Sequence, residues 1–147
     1  MEKNFVDDIR SFNRFYTNIL GLLDNYLQQS TYTLPEVRIL FELYYNENRT
    51  ARELIDSLRI DKGYLSRILQ SFEGNNLISR KRQDTDNRNV FITLTPYGKS
   101  EFKILDRASH NQIKTLISGL SKEQKEHLIY SMSKIQNLLS SKTVAAL

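Results

Sequence analysis

The chain has 147 residues and a mass of 17.3 kDa, with 39% hydrophobic and 26% charged residues, and it contains neither cysteine nor tryptophan. Its length predicts one domain, alone or with an appended helical module, that needs no disulfide or metal to fold. The missing cysteines exclude zinc ribbons, iron–sulfur clusters, thiol nucleophiles and cysteine-based peroxide sensing. No apolar run reaches the ~18 residues of a membrane span and no export signal follows Met1, so we expect a cytoplasmic protein.

Charge is distributed unevenly along the chain. Residues 1–48 carry four Lys and Arg against seven Asp and Glu, residues 49–95 nine against six, and residues 96–147 eight against four. A net charge of −3 is therefore followed by +3 and then by +4. This pattern favours a polyanionic partner for the middle and the end of the chain.

The first part of the chain predicts three helices. Apolar residues recur at helical spacing over residues 5–27, opposite a polar face, which predicts one long amphipathic helix. A capping box at residues 33–36, with proline in the first turn, begins a short helix that ends at Asn46. A second capping box, at residues 50–53, begins a very short helix that ends near Leu58.

The middle of the chain predicts one more helix and then a hairpin. Asp61 is a candidate N-cap. The helix that follows has an apolar stripe of Leu65, Ile68, Leu69 and Phe72. Two short β-like runs, residues 77–82 and 90–94, flank a polar loop at 83–89 that has turn composition.

The last part of the chain predicts two long helices. Thr95 and Pro96 begin the first of them, which ends near Gly119. A third capping box, at residues 121–124, begins the second, whose apolar stripe continues to Leu139.

This order of elements predicts a mainly α fold with a small β-hairpin wing, a winged helix-turn-helix. We expect residues 33–95 to form the DNA-binding lobe, and residues 1–32 and 96–147 a helical dimerisation body. The small helical core of the lobe cannot cover the long apolar stripes of residues 5–27 and 105–139. Those stripes must therefore pack against each other or against a second subunit.

The helix after Asp61 carries the first candidate binding residues. Opposite the apolar stripe, the helical period turns outward Lys62, Gly63, Ser66, Arg67 and Gln70. Hydrogen-bonding and cationic side chains of this kind reach base edges and phosphates from a helix in the major groove, and a glycine lets the backbone come close to DNA. The alternative is an ordinary solvated helix face.

The predicted hairpin carries the second set of candidates. Its cations are Arg80, Lys81, Arg82 and Arg88. Positive charges so close together repel one another, and DNA phosphates or the minor groove would compensate for that repulsion. Asp86 is placed to orient the guanidinium of Arg88. The alternative is that Asp84, Asp86 and Arg88 are ordinary turn residues with a weak surface pair.

These residues match a known family. Gly63-Tyr-Leu-Ser-Arg67, Leu77-Ile-Ser-Arg80, Asp86-Asn-Arg88 and Ile92-Thr-Leu-Thr-Pro-Tyr-Gly98 together resemble the MarR-type transcriptional regulators, and the resemblance covers nearly the whole chain. Residues 12–16, 63–69 and 105–109 are similar, more narrowly, to the regulator half of proteins that fuse a MarR domain to a GNAT-type acetyltransferase. The chain stops where that acetyltransferase would start, so it is either a stand-alone relative or a truncated one.

The resemblance implies a homodimer that regulates transcription, which we expect to repress it. The first and last helices would form a shared body, and two winged lobes would read a pseudo-palindromic duplex in consecutive major grooves. Arg88 would enter or border the minor groove, with Asp86 as its orienting partner. On or beside the recognition helix would lie Asp61, Lys62, Gly63, Tyr64, Ser66 and Arg67.

The resemblance also implies a small ligand, often aromatic or phenolic, bound where the body meets the lobe. Its binding would weaken DNA affinity by shifting the population between two arrangements of the lobes. Candidate lining residues are Phe12, Phe15, Tyr16, Tyr44 and Tyr45. The alternative for these aromatic residues is plain core.

We expect no cofactor, no metal and no enzymatic activity. His110 and His127 are the only histidines, and neither has a second histidine at i+4 or clustered carboxylates beside it. No nucleophile elbow, phosphate-binding glycine loop or catalytic triad is present. The rival hypothesis is a dimeric protein-interaction module, which would not need the cationic hairpin and whose binding would depend much less on salt.

Overall fold

A computed structural model describes residues 4–83 and 86–140, with the side chains of Tyr26, Gln28 and residues 83–88 outside the described set. It confirms the predicted mainly α fold with one antiparallel hairpin. The helices and strands are α1 (Phe5–Leu23), α2 (Leu34–Tyr45), α3 (Ala51–Leu58), α4 (Lys62–Gly74), β1 (Ile78–Gln83), β2 (Asp86–Leu94), α5 (Pro96–Leu116) and α6 (Lys122–Leu138). The chain divides into two compact units, Met1–His110 and Asn111–Leu147. Within the described residues, no helix is both long and apolar enough to cross a membrane.

Helix α1 is shorter than predicted. It ends at Leu23, and a 3₁₀ segment, Asp24–Gln29, takes the place of its predicted last turn. Aspartate and asparagine have low helix propensity, and here they occupy positions 24 and 25. The chain tightens at this point, and the segment closes with a hydrogen bond from the backbone N–H of Ser30 to the carbonyl oxygen of Leu27 (3.0 Å). Helical periodicity alone does not distinguish the two kinds of turn.

Side-chain caps begin the helices where the sequence predicts them. The backbone N–H of Glu53 donates to Thr50 Oγ1 (3.2 Å), and the N–H of Thr50 donates to the Glu53 carboxylate (3.1 Å). Ser121 and Gln124 make the same reciprocal pair at the start of α6. Asp61 Oδ2 accepts from the N–H of Tyr64 (2.9 Å), so the predicted cap of α4 is confirmed. These bonds satisfy backbone donors that have no partner within the helix.

The core lies in the first unit and is formed by α2, α3, α4, the hairpin and the first part of α5. The predicted stripe of α4 is buried along its whole length, with Phe72 only 2% exposed. Leu54 of α3 and Phe102 of α5 are also almost fully buried. This packing fixes which side of α4 faces solvent.

Helices α1 and α6 contain no buried residue. On α1, Phe5 is 68% exposed and Phe15 is 62% exposed, and on α6 Leu138 is 74% exposed. Large apolar side chains in such positions lose the stabilisation that burial would give them. Each helix therefore presents an uncovered apolar face in the single chain.

The wing hairpin has one longer strand than predicted. β1 pairs with β2 from Ile78 opposite Leu94 to Arg82 opposite Val90, and then Gln83 lies opposite Asp86. Residues 87–89 are therefore additional residues on β2, at an irregularity in the pairing. The predicted polar loop is wrong for residues 83 and 86–89, which belong to the strands, whereas residues 84–85 lie outside the described residues. Turn composition misled the prediction because polar residues occur in strands as well as in turns.

The root of the hairpin, where residues 76–77 lie beside Thr95, is hydrogen-bonded to the start of α5. Thr95 Oγ1 accepts from the N–H of Gly98 (2.9 Å) and donates to the carbonyl oxygen of Asn76 (2.6 Å), while the N–H of Thr95 donates to the carbonyl oxygen of Leu77 (3.0 Å). Gly98 is buried against this contact. A β-carbon built on Gly98 would lie 2.1 Å from the carbonyl oxygen of Leu77. The close approach of the two backbones thus requires glycine at this position.

Candidate nucleic-acid interface

The polar face of α4 is open to solvent along its whole length. Opposite the buried stripe, the residues predicted to face outward are all exposed: Lys62, Gly63, Ser66, Arg67 and Gln70. Tyr64, which the family resemblance places on or beside this helix, is also exposed. Asp61, which caps the helix, is exposed as well. The hydrogen-bonding and cationic groups of this face all belong to one helix, α4, whose other side is packed in the core.

Gly63 leaves room for the helix cap. A β-carbon built at this position would lie 3.3 Å from Oδ2 of Asp61, which is tighter than most real contacts of a β-carbon. The same oxygen accepts the hydrogen bond from the N–H of Tyr64. The helix cap is therefore one reason for glycine at position 63, in addition to the predicted approach of the backbone to DNA.

Arg67 lies close to a neighbouring aromatic ring. Its Cζ lies 5.9 Å from the centroid of the Tyr64 ring, at the outer limit of a cation–π contact. Tyr64 and Arg67 are three residues apart, so they occupy the same helix face. A cation–π contact uses the face of the guanidinium and not its N–H groups, so the donors of Arg67 stay available for hydrogen bonding.

The three cations of β1 do not form one cluster. Successive side chains of a strand point to opposite faces, which places Arg80 and Arg82 on one face and Lys81 on the other. Lys81 and Arg82 are exposed, and none of the ion pairs in the described part of the chain includes either of them. Both are available to an external anion.

Arg80 has a partner that the sequence analysis missed. Its Nε lies 2.6 Å from Oε2 of Glu73, which joins β1 to the last turn of α4. Glu73 follows Gln70 by three residues, so the helical period alone places its carboxylate on the polar face. What the sequence does not show is that the hairpin returns alongside the last turn of α4.

A cleft of about 600 Å³ lies between α4 and β1. It is lined by Ser66, Gln70, Glu73, Gly74 and Arg80. The cleft thus runs along the polar face of α4 and reaches β1 at Arg80, with the Glu73–Arg80 pair on its wall.

The predicted contact between Asp86 and Arg88 falls outside the described side chains. The backbone of both residues belongs to β2. The orienting role of Asp86 and the minor-groove role of Arg88 stay predictions.

The predicted ligand-pocket residues occur in two separate groups of rings. Phe12 stacks on Tyr16, with centroids 5.6 Å apart and planes 9° apart. Tyr44 and Tyr45 contact each other and Phe102. None of the ring contacts between described residues joins one group to the other, and Phe15 is exposed. A single pocket lined by all five residues stays a prediction.

The structure shows two other clefts, which meet at Tyr32. One, of about 390 Å³, includes Glu36 and Tyr97, and the other, of about 380 Å³, includes Glu101. Burial, together with the charge of Glu101, raises the pKa of Tyr32 to about 12. Its hydroxyl group is therefore protonated at neutral pH and donates to Glu101 Oε2 (3.3 Å).

The two histidines are both exposed. Across the residues that the structure describes, no group of three His, Cys, Asp or Glu side chains is arranged to hold a metal ion.

Comparison with known proteins identifies the family. A family model described as MarR family matches residues 32–90, which include α2 to α4 and most of the hairpin. The organic hydroperoxide resistance transcriptional regulator of Bacillus subtilis is 33% identical over 113 residues, which are 77% of this chain and 74% of that protein. This chain belongs to the MarR family.

Two further proteins extend the similarity beyond the matched region. The HTH-type transcriptional regulator MgrA of Staphylococcus aureus is 27% identical over 126 residues, covering 86% of this chain and 80% of that protein. The structure of Streptococcus pneumoniae FabT in complex with DNA superimposes with a TM-score of 0.78 at 18% identity, covering 92% of this chain and 97% of that chain. The chain is thus a winged-helix, DNA-binding transcriptional regulator of the MarR family, and its named relatives are regulators rather than enzymes.

Proposed function

We propose that this MarR-family chain is a homodimeric repressor that reads a pseudo-palindromic operator. The observation that carries the proposal is the exposed polar face of α4 beside the basic strand β1. Lys62, Ser66, Arg67 and Gln70 supply donors for base edges and phosphates, and Lys81 and Arg82 supply unpaired charge within the described residues. A protein-binding winged helix has no comparable need for these cations.

The dimensions of the lobe support docking of α4 in the major groove. Thirteen residues of α-helix span about 20 Å, and the ~12 Å width of the major groove admits one such helix. A hairpin placed beside that helix reaches the neighbouring minor groove, as in other winged and arm-bearing DNA-binding domains. FabT, which has the same fold, forms a complex with DNA, and this supports DNA as the ligand of the present chain.

The first test is fluorescence anisotropy with the DNA upstream of the gene of this protein and with a random duplex, over a series of salt concentrations. A specific regulator binds its operator about 1000-fold more tightly than the random duplex and keeps binding at physiological salt. Weak binding that is equal on both duplexes and is lost by about 200 mM salt would contradict an operator at that position. If other candidate promoters gave the same result, a protein partner would replace DNA as the proposed ligand.

A dimer is the expected solution state because α1 and α6 each present an apolar face that the single chain leaves uncovered. Burying such faces between two copies stabilises the assembly by roughly 25 cal/mol for each Å² of apolar surface removed from water. Light scattering at micromolar concentration is expected to give twice the 17.3 kDa mass of one chain. A mass near that of one chain would contradict the dimer. It would also contradict the proposal that two copies bind the two halves of a pseudo-palindromic operator.

Replacement of Arg88 by alanine is expected to weaken DNA binding by about 1–2 kcal/mol on operator and random duplex alike, because a phosphate or groove-width contact carries little base specificity. The dependence of affinity on salt should also become shallower, by about one released counterion. Lys122→Ala, which removes one cation at the start of α6, serves as the control. Equal affinities of Arg88→Ala and the control variant would argue against a wing contact by Arg88.

We further propose that a small aromatic ligand releases the DNA complex. The clefts beside Tyr32 support a binding place within the first unit. One of them lies between the segment before α2, the last turn of α4 and the start of α5. The other lies between the segment before α2 and the middle of α5. A ligand there would contact the buried side of the recognition helix through Phe72. Such a ligand shifts the DNA-binding equilibrium only as far as it prefers one arrangement of the lobe over the other.

A further inference from the structure

The ion pair between Glu73 and Arg80 has an unusual place for a surface contact. It joins the last turn of the recognition helix to the first half of the wing, rather than two residues of one helix. The Nε–Oε2 distance of 2.6 Å is that of a short charge-assisted hydrogen bond. The two side chains are 36% (Arg80) and 51% (Glu73) exposed, so both still reach solvent or a ligand.

The cleft beside this pair lies where a DNA strand would pass. The major and minor grooves are separated by a single sugar–phosphate backbone, so a helix in one groove and a hairpin in the next must have that backbone between them. In this protein a cleft of about 600 Å³ runs along α4 and reaches β1 at Arg80, and it is lined by Ser66, Gln70, Glu73, Gly74 and Arg80. A carboxylate would then face phosphates, and an uncompensated carboxylate there would oppose binding.

We propose that Glu73 is a positioning residue that holds Arg80 as a phosphate clamp between recognition helix and wing. The inference rests on the proposed DNA interface. A guanidinium has five N–H donors, and the contact with Glu73 is made through the one on Nε, so further donors on the Nη atoms remain to bind a phosphate. Because the guanidinium is planar, fixing Nε also fixes the direction of the other donors.

This arrangement gives Glu73 an effect whose sign depends on Arg80. With Arg80 present, the carboxylate orders the guanidinium before DNA arrives and so reduces the rotamer entropy lost on binding. Without Arg80, the same carboxylate has no partner in the pair and only repels the phosphates. If Glu73 and Arg80 formed only an ordinary surface ion pair, replacing Glu73 would change DNA affinity little, with or without Arg80.

The test is a double-mutant cycle on operator affinity, measured by anisotropy with wild type, Glu73→Gln, Arg80→Ala and the double variant. Glu73→Gln alone is expected to weaken binding about threefold, the size of a modest oriented charge contact. In the Arg80→Ala background the same substitution is expected to strengthen binding by a similar factor, because it removes an unpaired negative charge. Arg80→Ala should also make the dependence of operator affinity on salt concentration shallower, by about one released counterion. Glu73→Gln should change that dependence by less than this.

Glu126→Gln is the matched control, because it makes the same change of charge in a surface pair with Lys122 on α6. Thermal unfolding of all variants checks that each is folded. A Glu73→Gln effect of the same sign in both backgrounds, or no effect in either, would overturn the clamp while leaving the DNA interface intact. Failure of wild type to bind any duplex would instead overturn the proposed function.

Discussion

Replacement of Gly98 by alanine is expected to destabilise the protein by about 3 kcal/mol, the upper end of what overpacking costs. The added β-carbon would lie 2.1 Å from the carbonyl oxygen and 3.0 Å from the carbonyl carbon of Leu77. Both are backbone atoms, so no side-chain rotation relieves the contact. The first turn of α5 would have to move away from the hairpin root, which would weaken the hydrogen bonds of Thr95 to Leu77 and Asn76.

Urea denaturation at one fixed protein concentration measures this difference, since the stability of an assembling protein depends on concentration. Gly21→Ala is the matched control, because a β-carbon at Gly21 meets no atom within 4 Å and the residue lies inside α1. Alanine there is expected to stabilise the helix by roughly 0.5–1 kcal/mol. Equal midpoints for the two variants would show that the approach of α5 to Leu77 is not a tight one.

Replacement of Arg67 by alanine is expected to lower operator affinity by about 1–3 kcal/mol, the contribution of one good bidentate pair with a base. Affinity for a random duplex should fall much less, so the ratio of the two affinities decreases. The expectation depends on the position of Arg67 on the exposed face of α4. Anisotropy titrations on both duplexes at one salt concentration measure the ratio.

Lys62→Ala is the comparison for this variant, since it removes one cation from the first residue of the same helix. A lysine acts as a point charge without the planar donors of arginine, so its loss is expected to weaken both complexes to a similar extent. If Arg67→Ala also weakens both complexes equally, Arg67 contacts a phosphate rather than a base.

The features that the sequence predicted well depend on contacts within a few residues. Thr50 and Glu53 recognise each other across one turn, so their capping box was visible without knowledge of the fold. The burial of Leu65 and Phe72 followed from their helical spacing, and the exposure of Arg67 followed from the same period. The polar face of the recognition helix was therefore predictable from the sequence alone.

The features that the sequence missed depend on how distant segments meet. Tyr32 and Glu101 are 69 residues apart, and nothing in either segment indicates their hydrogen bond. Glu73 was visible as a polar residue, but its pairing with Arg80 requires the path of the hairpin. Side-chain identity also fails to give the length of β2, because polar residues are common both in turns and in exposed strands.

The closure of the hairpin at its root bears on how proteins with this architecture diverge. The N–H of Thr95 donates a hydrogen bond to the carbonyl oxygen of Leu77. The residues between them therefore form a closed loop whose two ends are held together at this point. The entropy cost of a closed loop rises slowly with its length, by about 0.6 kcal/mol for each doubling. Insertions and deletions far from the root therefore leave the core unchanged while altering how far the hairpin extends. Evolution is free to vary the reach of the wing independently of the stability of the domain that bears it.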